Sequence, residues 1–335
     1  MLELERVNVG VSTNCNAKCF SCFRTQSSKV PYNIFLKNET LLKFVEHFKL
    51  IEFIGGWGDF VTVPHGLELV QTLNDYNKKF IIETNAGIRD SEYWSNLGKL
   101  SSQNKNGAVQ FSIDEIKNEY DTYRKTHTKT VLNNLKTFID NGGIADVKTI
   151  NWKFNENDID DMADYFKSIG VRTLKRHDAF QYEESGDFSA PFFSKLAKGT
   201  YQIIYTNNSL KRTPKQCHWM KQGRMMLDEL GELHQCCNLV TISTLSEYQE
   251  PADDMIYPAI YASYDDIKDI YLKNKHLINL NNPDVTFESA YNNEYNEYVR
   301  KNYKNITRCK LSCSTSLEIK DLLGPQKDYP LNDIQ

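Results

Sequence analysis

Apolar residues fall at alternate positions near the amino terminus. Val7, Val9 and Val11 punctuate Arg6–Ser12 with the period of a half-buried strand. The period then changes. Asn38 can cap a helix over 38–48, with Leu41, Val45 and Phe48 on one face. The run 51–54 is apolar and reads as a strand, and 66–76 returns to the helical period. Strands follow at 80–83 and 108–113, and a helix over 130–140 stops at Gly142-Gly143. A strand at 147–152 leads to a helix over 155–166 with Ile159, Met162 and Phe166 inward. The last strand of the series is 171–174. Six strands separated by helices predict a parallel α/β sheet or a partial barrel; a doubly wound sheet gives the same pattern.

The rhythm fails after about Ala179. Gly186, Pro191, Gly199 and the turn signal Asn207-Asn208-Ser209 make 181–213 a linker with some helix in it. A second unit is expected from Pro214, opening with two short strands in 223–238 around a turn at Gly231. Residues 241–308, rich in Tyr, Asn and Asp, show no readable period. The expected layout is therefore a first domain over 1–180, the linker, and a second domain over 214–335. At 335 residues, with 40% hydrophobic and 25% charged, the chain has globular composition, which excludes disordered and collagen-like classes. A net charge of −4 gives no reason to expect nucleic acid or an anionic membrane as partner. The sequence has no run of about 18 apolar residues, the length a bilayer-spanning helix requires. The start Met1-Leu2-Glu3-Leu4-Glu5-Arg6 lacks the pattern of a secretory signal, so the expected compartment is the cytoplasm and the eight cysteines are expected as thiols.

Three of those cysteines, Cys15, Cys19 and Cys22, follow the first strand directly. A structural zinc site needs a fourth ligand. A cubane iron–sulfur cluster held by three thiolates instead keeps one iron open to a substrate or cofactor. Buried thiols or part of a zinc site are the bland alternatives. After the second strand stands Gly56-Trp57-Gly58-Asp59-Phe60-Val61-Thr62-Val63-Pro64; after the third, Thr84-Asn85-Ala86-Gly87; after the fourth, Ser112-Ile113-Asp114, then Arg124. Together these resemble the signatures of the radical S-adenosylmethionine (SAM) superfamily: the cysteine triplet, a G-x-G-E-P turn, T-N-G, and S-x-D with a later Arg. The resemblance implies a TIM-like partial (β/α)6 barrel with a [4Fe–4S] cluster on Cys15, Cys19 and Cys22. It implies SAM contacts from Gly56, Gly58, Asp59, Asn85, Ser112, Asp114 and Arg124, with Asp59 accepting from the SAM ammonium and Arg124 meeting its carboxylate. Three positions depart from the pattern. Asp59 stands for Glu, Phe60 for Pro, and Ser21 for a large apolar residue, leaving Phe20 to pack near the adenine.

A second set, Cys217, Cys236, Cys309 and Cys313, with Gly231 and four further residues leading into Cys236, resembles the SPASM and twitch auxiliary domains. Five cysteines remain for it, which suits the twitch type with one auxiliary [4Fe–4S] cluster. Cys237 is then spare or exchanges roles with Cys236. A structural zinc site is the alternative. Residues at strand ends that could meet a substrate are Lys175, Arg176, His177, Asp178 and Trp152, against the alternative of a polar rim. His218 and His234 are expected as polar surface or as donors beside the auxiliary cysteines.

The implied chemistry is reductive cleavage of SAM, fed by a flavodoxin- or ferredoxin-type donor, giving a 5′-deoxyadenosyl radical that takes hydrogen from a small-molecule or peptide substrate. A fully ligated auxiliary cluster suits a net oxidation. Peptide maturation or epimerisation, with Cys237 as hydrogen donor, is the alternative outcome. With the first motif beginning at Cys15, no extra N-terminal peptide-recognition domain is expected, which slightly disfavours a leader-peptide-dependent maturase. From another class, a zinc-stabilised binding module without catalysis accounts for the thiols but not for Gly56–Pro64, Ser112, Asp114 and Arg124. A methylthiotransferase or tRNA-modifying enzyme of the same superfamily is weakly disfavoured by the negative charge and the lack of a basic stripe.

Overall fold

A computed structural model describes residues 3–19, 22–26, 33–103, 105–152, 154–178, 217–248, 264–310 and 328–330. Phe20, Cys313 and the expected linker 181–213 lie outside the described residues, as does the side chain of Asp178. The chain divides into two compact units, one of Met1–Gly10, Ser28–Lys49 and Lys195–Pro325, the other of Val11–Ser27, Leu50–Ser194 and Gln326–Gln335.

In the first of these, strand β1 (Leu4–Gly10) supplies buried Val7 and Val9. In the second, a parallel series runs through β2 (Phe48–Ile54), β3 (Lys79–Thr84), β4 (Gly107–Ser112), β5 (Ala145–Asn151) and β6 (Thr173–Asp178). The register sets Thr84 beside Phe111, Ser112 beside Lys148, and Ile150 beside His177. Alternation decides what each face does. One face carries Ile82, Val109, Phe111 and Val147, all fully buried. Against it stand Leu69, Val70 and Leu73 of helix Gly66–Asp75, Trp94 and Leu97 of helix Ser91–Ser102, and Leu135 and Phe138 of helix Thr128–Asp140. Phe111 lies 5.5 Å from Trp94 and 5.5 Å from Phe138, ring to ring. The opposite face is polar: Glu83 bonds Gln110 (2.8 Å), and Gln110 bonds Lys175 (2.9 Å). A parallel sheet with one polar face needs that face for something other than helix packing. The series stays open at β6, which pairs antiparallel with the short strand Asp328–Pro330.

The other unit pairs β1 in parallel with β7 (Arg224–Leu227), and β7 antiparallel with β8 (Leu233–His234). Gly231 makes the expected turn at φ +87°, a region that glycine enters without steric cost. Helices Cys237–Tyr248, Asp265–Asn274 and Glu294–Asn302 supply Leu239, Ile242, Ile267, Tyr271, Tyr295 and Val299 to one apolar cluster.

Four expectations are corrected. The helix predicted over 38–48 ends at Leu42; a 3-10 turn covers Val45–His47 and β2 already begins at Phe48. Packing overrides the helical period there, because the Phe48 ring meets Phe44 (6.3 Å) and Phe287 (5.4 Å). The helix predicted from 155 begins at Ile159. Asn155 serves as a loop lock instead, accepting from Trp152 N (2.8 Å) and donating to Asp114 O and Ile150 O (2.9 Å each). Val171 closes that helix by bonding Phe166 O (3.0 Å), so the last strand starts at Thr173 and not at 171. Helix Ser91–Ser102 has no counterpart among the predicted elements, although Asp90 caps it and Trp94, Leu97 and Ser101 share a face. Gly98 masks the pattern. It is required because a Cβ there would lie 2.5 Å from Phe138 O of the neighbouring helix.

Phe111→Ala removes the ring between Trp94 and Phe138 and leaves a cavity under the last residues of β4. It is expected to cost about 3–5 kcal/mol of stability, read by urea unfolding.

Candidate functional site

Cys15, Cys19 and Cys22, each half-buried, line one cavity of about 220 Å³. Gly56, Gly58, Asp59, Asn85, Ser112 and Arg124 line it too. Residues at and after the ends of β2, β3 and β4 thus converge on the cysteine loop. Asp114, Trp152, Lys175 and His177 are not in the lining. Trp152 packs behind it against Tyr123 (4.8 Å), with Cys19 and Ile150 in the same apolar cluster. Lys175 is engaged with Gln110 and with Asp146 (3.7 Å). Trp57, Glu83, Tyr123 and Ile150 line the cavity and are not among the residues expected there from the sequence. Glu83 and Ile150 are legible in principle, since each shares the strand parity of a polar-face residue.

The loop is pinned from several sides. Asp59 N donates to Asn14 O (2.8 Å), Thr62 Oγ1 to the same carbonyl (2.9 Å), and Lys18 N to Arg124 O (2.9 Å). Gly58 makes this approach possible: a Cβ there would lie 2.2 Å from Ser12 O and 2.5 Å from Asn14 O. A glycine in such a turn is expected to admit a ligand; this one admits the protein's own backbone.

Asp59 is buried, and all four of its hydrogen-bond donors are protein groups. Oδ1 accepts from Val61 N (3.1 Å) and Thr84 Oγ1 (2.7 Å); Oδ2 accepts from Asn85 N (2.7 Å) and Asn85 Nδ2 (2.6 Å). Burial pushes its pKa up, and these donors oppose the shift. Asp114 stands behind the cavity wall. Its Oδ1 accepts from Ile150 N (2.7 Å), and its Oδ2 lies 2.9 Å from Arg124 Nε in an ion pair off the line of a directed hydrogen bond. Burial raises the Asp114 pKa, against the pull of Arg124. Asp121, also unpredicted, folds the intervening loop by accepting from Arg124 N (2.6 Å), Tyr123 N (3.0 Å) and Asp114 N (3.2 Å). Asp114 and Asp121 therefore present Arg124, which faces the cavity.

Burial, and then the charge of Asp59, push Cys15 up to about 12; burial pushes Cys19 up to about 11, with Arg124 opposing. Loading such a site must displace protons. Among the described residues, the group of His, Cys, Asp or Glu with ligand atoms all within 4.8 Å is Asp228, Glu232 and His234; the three cysteines do not form one.

No family model and no curated protein matches the chain. Solved structures do. Streptococcus suis SuiB has a TM-score of 0.55 at 13% identity over 95% of this chain and 74% of its own. SuiB bound to S-adenosylmethionine gives 0.53 at 13%, over 79% of this chain and 66% of its own, so the chain spans under two thirds of that structure. A polyhistidine-tagged anSMEcpe with bound AdoMet gives 0.53 at 16%, over 95% and 92%. Both proteins are radical SAM enzymes. The fold is that of the radical SAM enzymes.

The second cysteine set lies in the other unit. Cys236 and Cys309 are buried in its apolar cluster, Cys217 precedes the short helix His218–Lys221, and Cys237 is exposed. His234, expected at the surface, is fully buried. Its Nε2 lies 3.3 Å from Asp228 Oδ2, and its Nδ1 3.5 Å from Tyr295 OH. Asp228 also accepts from Glu232 N (2.7 Å) and Ser243 Oγ (2.6 Å), so this cluster braces the β7–β8 hairpin just before Cys236. His218, exposed at the start of its helix, is not part of it. Among the described residues no helix is long and apolar enough to cross a membrane.

Gly58→Ala forces the Ser12–Asn14 backbone off its seat. It is expected to destabilise the protein by about 2–3 kcal/mol in chemical denaturation, more than an alanine at a glycine with open space around it.

Proposed function

We propose that the chain is a radical SAM enzyme: Cys15, Cys19 and Cys22 hold a [4Fe–4S] cluster, and the cavity beside them takes SAM. The observation that carries this reading is the meeting of three thiols, Ser112 and a buttressed Arg124 in one pocket on a fold shared with SuiB and anSMEcpe. When bound, the cluster supplies one electron for cleavage of SAM to methionine and a 5′-deoxyadenosyl radical. The residues of this chain bind, aim and shield. Arg124, held by Asp114, offers a permanent positive charge to the SAM carboxylate. Ser112 offers a hydroxyl from the end of β4. Trp57 and Tyr123 give the pocket apolar walls that keep water away from a reactive carbon. Asp59, spent on four protein donors, shapes the wall and leaves the SAM ammonium to other acceptors.

In the other unit, Cys217, Cys236 and Cys309 with Cys313 hold one auxiliary cluster, with Cys237 spare. Such a cluster suits removal of a second electron and hence a net oxidation. The substrate is read as a peptide or a small molecule. The neighbours support the former, since SuiB was solved with precursor peptide SuiA and anSMEcpe with the Cp18Cys peptide. The polar face of Glu83, Gln110, Lys148 and Lys175 is the surface against which it would lie, and a flavodoxin- or ferredoxin-type protein is the electron donor.

Anaerobic reconstitution tests the assignment. Wild type should bind about eight irons per chain and form 5′-deoxyadenosine from SAM. Cys19→Ala should abolish that product while keeping about four irons, and Cys309→Ala should also lose about four. Unchanged 5′-deoxyadenosine from Cys19→Ala, or stoichiometric zinc without iron in wild type, would contradict it.

A further inference from the structure

We infer that Asn85 sets the reduction potential of the cluster on Cys15, Cys19 and Cys22 by donating a side-chain N–H to the Cys15 sulfur, and that Asp59 and Gly87 are the residues that aim it. The inference rests on the proposed function, because it concerns the cluster that reading assigns. Asn85 Nδ2 lies 3.6 Å from Cys15 Sγ, within the longer range of hydrogen bonds to sulfur. The residue is buried, so little water competes for the bond.

The amide cannot turn over. Its Oδ1 accepts from Gly87 N (2.8 Å), while Nδ2 gives one hydrogen to Asp59 Oδ2 (2.6 Å) and shares the other between Asn16 Oδ1 (3.2 Å) and Cys15 Sγ (3.6 Å). Rotation by half a turn would set Oδ1 against the Asp59 carboxylate and the NH2 against Gly87 N–H. The loop is bent to achieve this. Ala86 takes φ +55°, a region costly for a residue with a Cβ, and its N–H is held by Thr84 Oγ1 (3.0 Å). Gly87 leaves the space for the amide: a Cβ there would lie 2.8 Å from Asn85 Oδ1 and 2.6 Å from Asn16 Nδ2. The carboxylate of Asp59 receives the backbone N–H of Asn85 as well as its side chain, so a single anion fixes both ends of the residue.

The consequence is electrostatic. A cluster gains negative charge on reduction. A donor fixed on one of its thiolates stabilises the reduced state more than the oxidised one and raises the potential. Hydrogen bonds to cluster sulfur are among the protein's means of setting that value. A residue that only braced the loop would leave the potential alone once the cluster had assembled.

The test is an EPR-monitored redox titration of the SAM-responsive cluster in the reconstituted full chain, with iron content measured alongside. Asn85→Leu keeps the bulk and removes the donor. Gly87→Ala keeps Asn85 and Asp59 but pushes the amide off its line. Both variants are expected to bind iron as wild type does and to be reduced at lower potential, by about 59 mV for a tenfold loss in the one-electron equilibrium. In wild type carrying 15N-asparagine, pulsed EPR should show a nitrogen coupling to the cluster that Asn85→Leu lacks. If Asn85→Leu does not fold, Gly87→Ala decides. Full iron content with an unshifted potential overturns the role given to Asn85 and leaves the enzyme assignment standing. Absence of any SAM-responsive cluster in wild type overturns both.

Discussion

A buried carboxylate must find donors or lose its charge, and Asp59 finds four within reach of two strand ends. That requirement organises the site. It draws Thr84 and Asn85, at the end of β3, onto the turn that follows β2. The same turn, through Asp59 N and the bare Cα of Gly58, clasps the backbone that carries Cys15. Cysteines on a short irregular loop have no helix or strand to fix them, so their positions are inherited from this clasp. Without it the three sulfurs would be a sequence pattern without a geometry.

A second buried carboxylate does the equivalent work on the far wall. Asp114 takes Ile150 N and the guanidinium of Arg124, while Asp121 gathers the loop between them. Asp59 belongs to the cavity wall and fixes Asn85 beside it, whereas Asp114 sits one layer behind Arg124. The site is thus a surface of thiols, amide, hydroxyl and guanidinium braced by desolvated acids, an arrangement in which precise aim is obtained at the expense of buried charge.

Much of this is legible in the sequence. The strands lie close to where the apolar periods put them, apart from shifted ends at β2 and β6, and the residues quoted after the second, third and fourth strands gather beside the cysteine triplet. What escapes has physical reasons. Phe48 reads as the last residue of a helix because local period cannot register Phe287, more than two hundred positions away. Gly98 weakens the pattern of its helix because it answers to a carbonyl on a neighbour. Asp59 and Asp114 are recognisable as site residues, but the sequence assigns their partners to the ligand. A sequence gives a residue's chemistry, whereas the direction in which it is spent depends on which donors the fold brings close. His234 shows the same limit: polar in type, it is expected outside, and it is enclosed by Asp228, Glu232 and Tyr295.

The central claim is that three protein sulfurs hold a cubane with one iron left for SAM. Mössbauer spectroscopy of 57Fe-reconstituted protein, handled without oxygen, addresses it most directly. The account predicts that adding SAM shifts the signal of about one iron in four of the cluster lost in Cys19→Ala, and leaves the remaining iron unchanged. A spectrum indifferent to SAM, or protein that takes up no cluster on Cys15, Cys19 and Cys22, would contradict it.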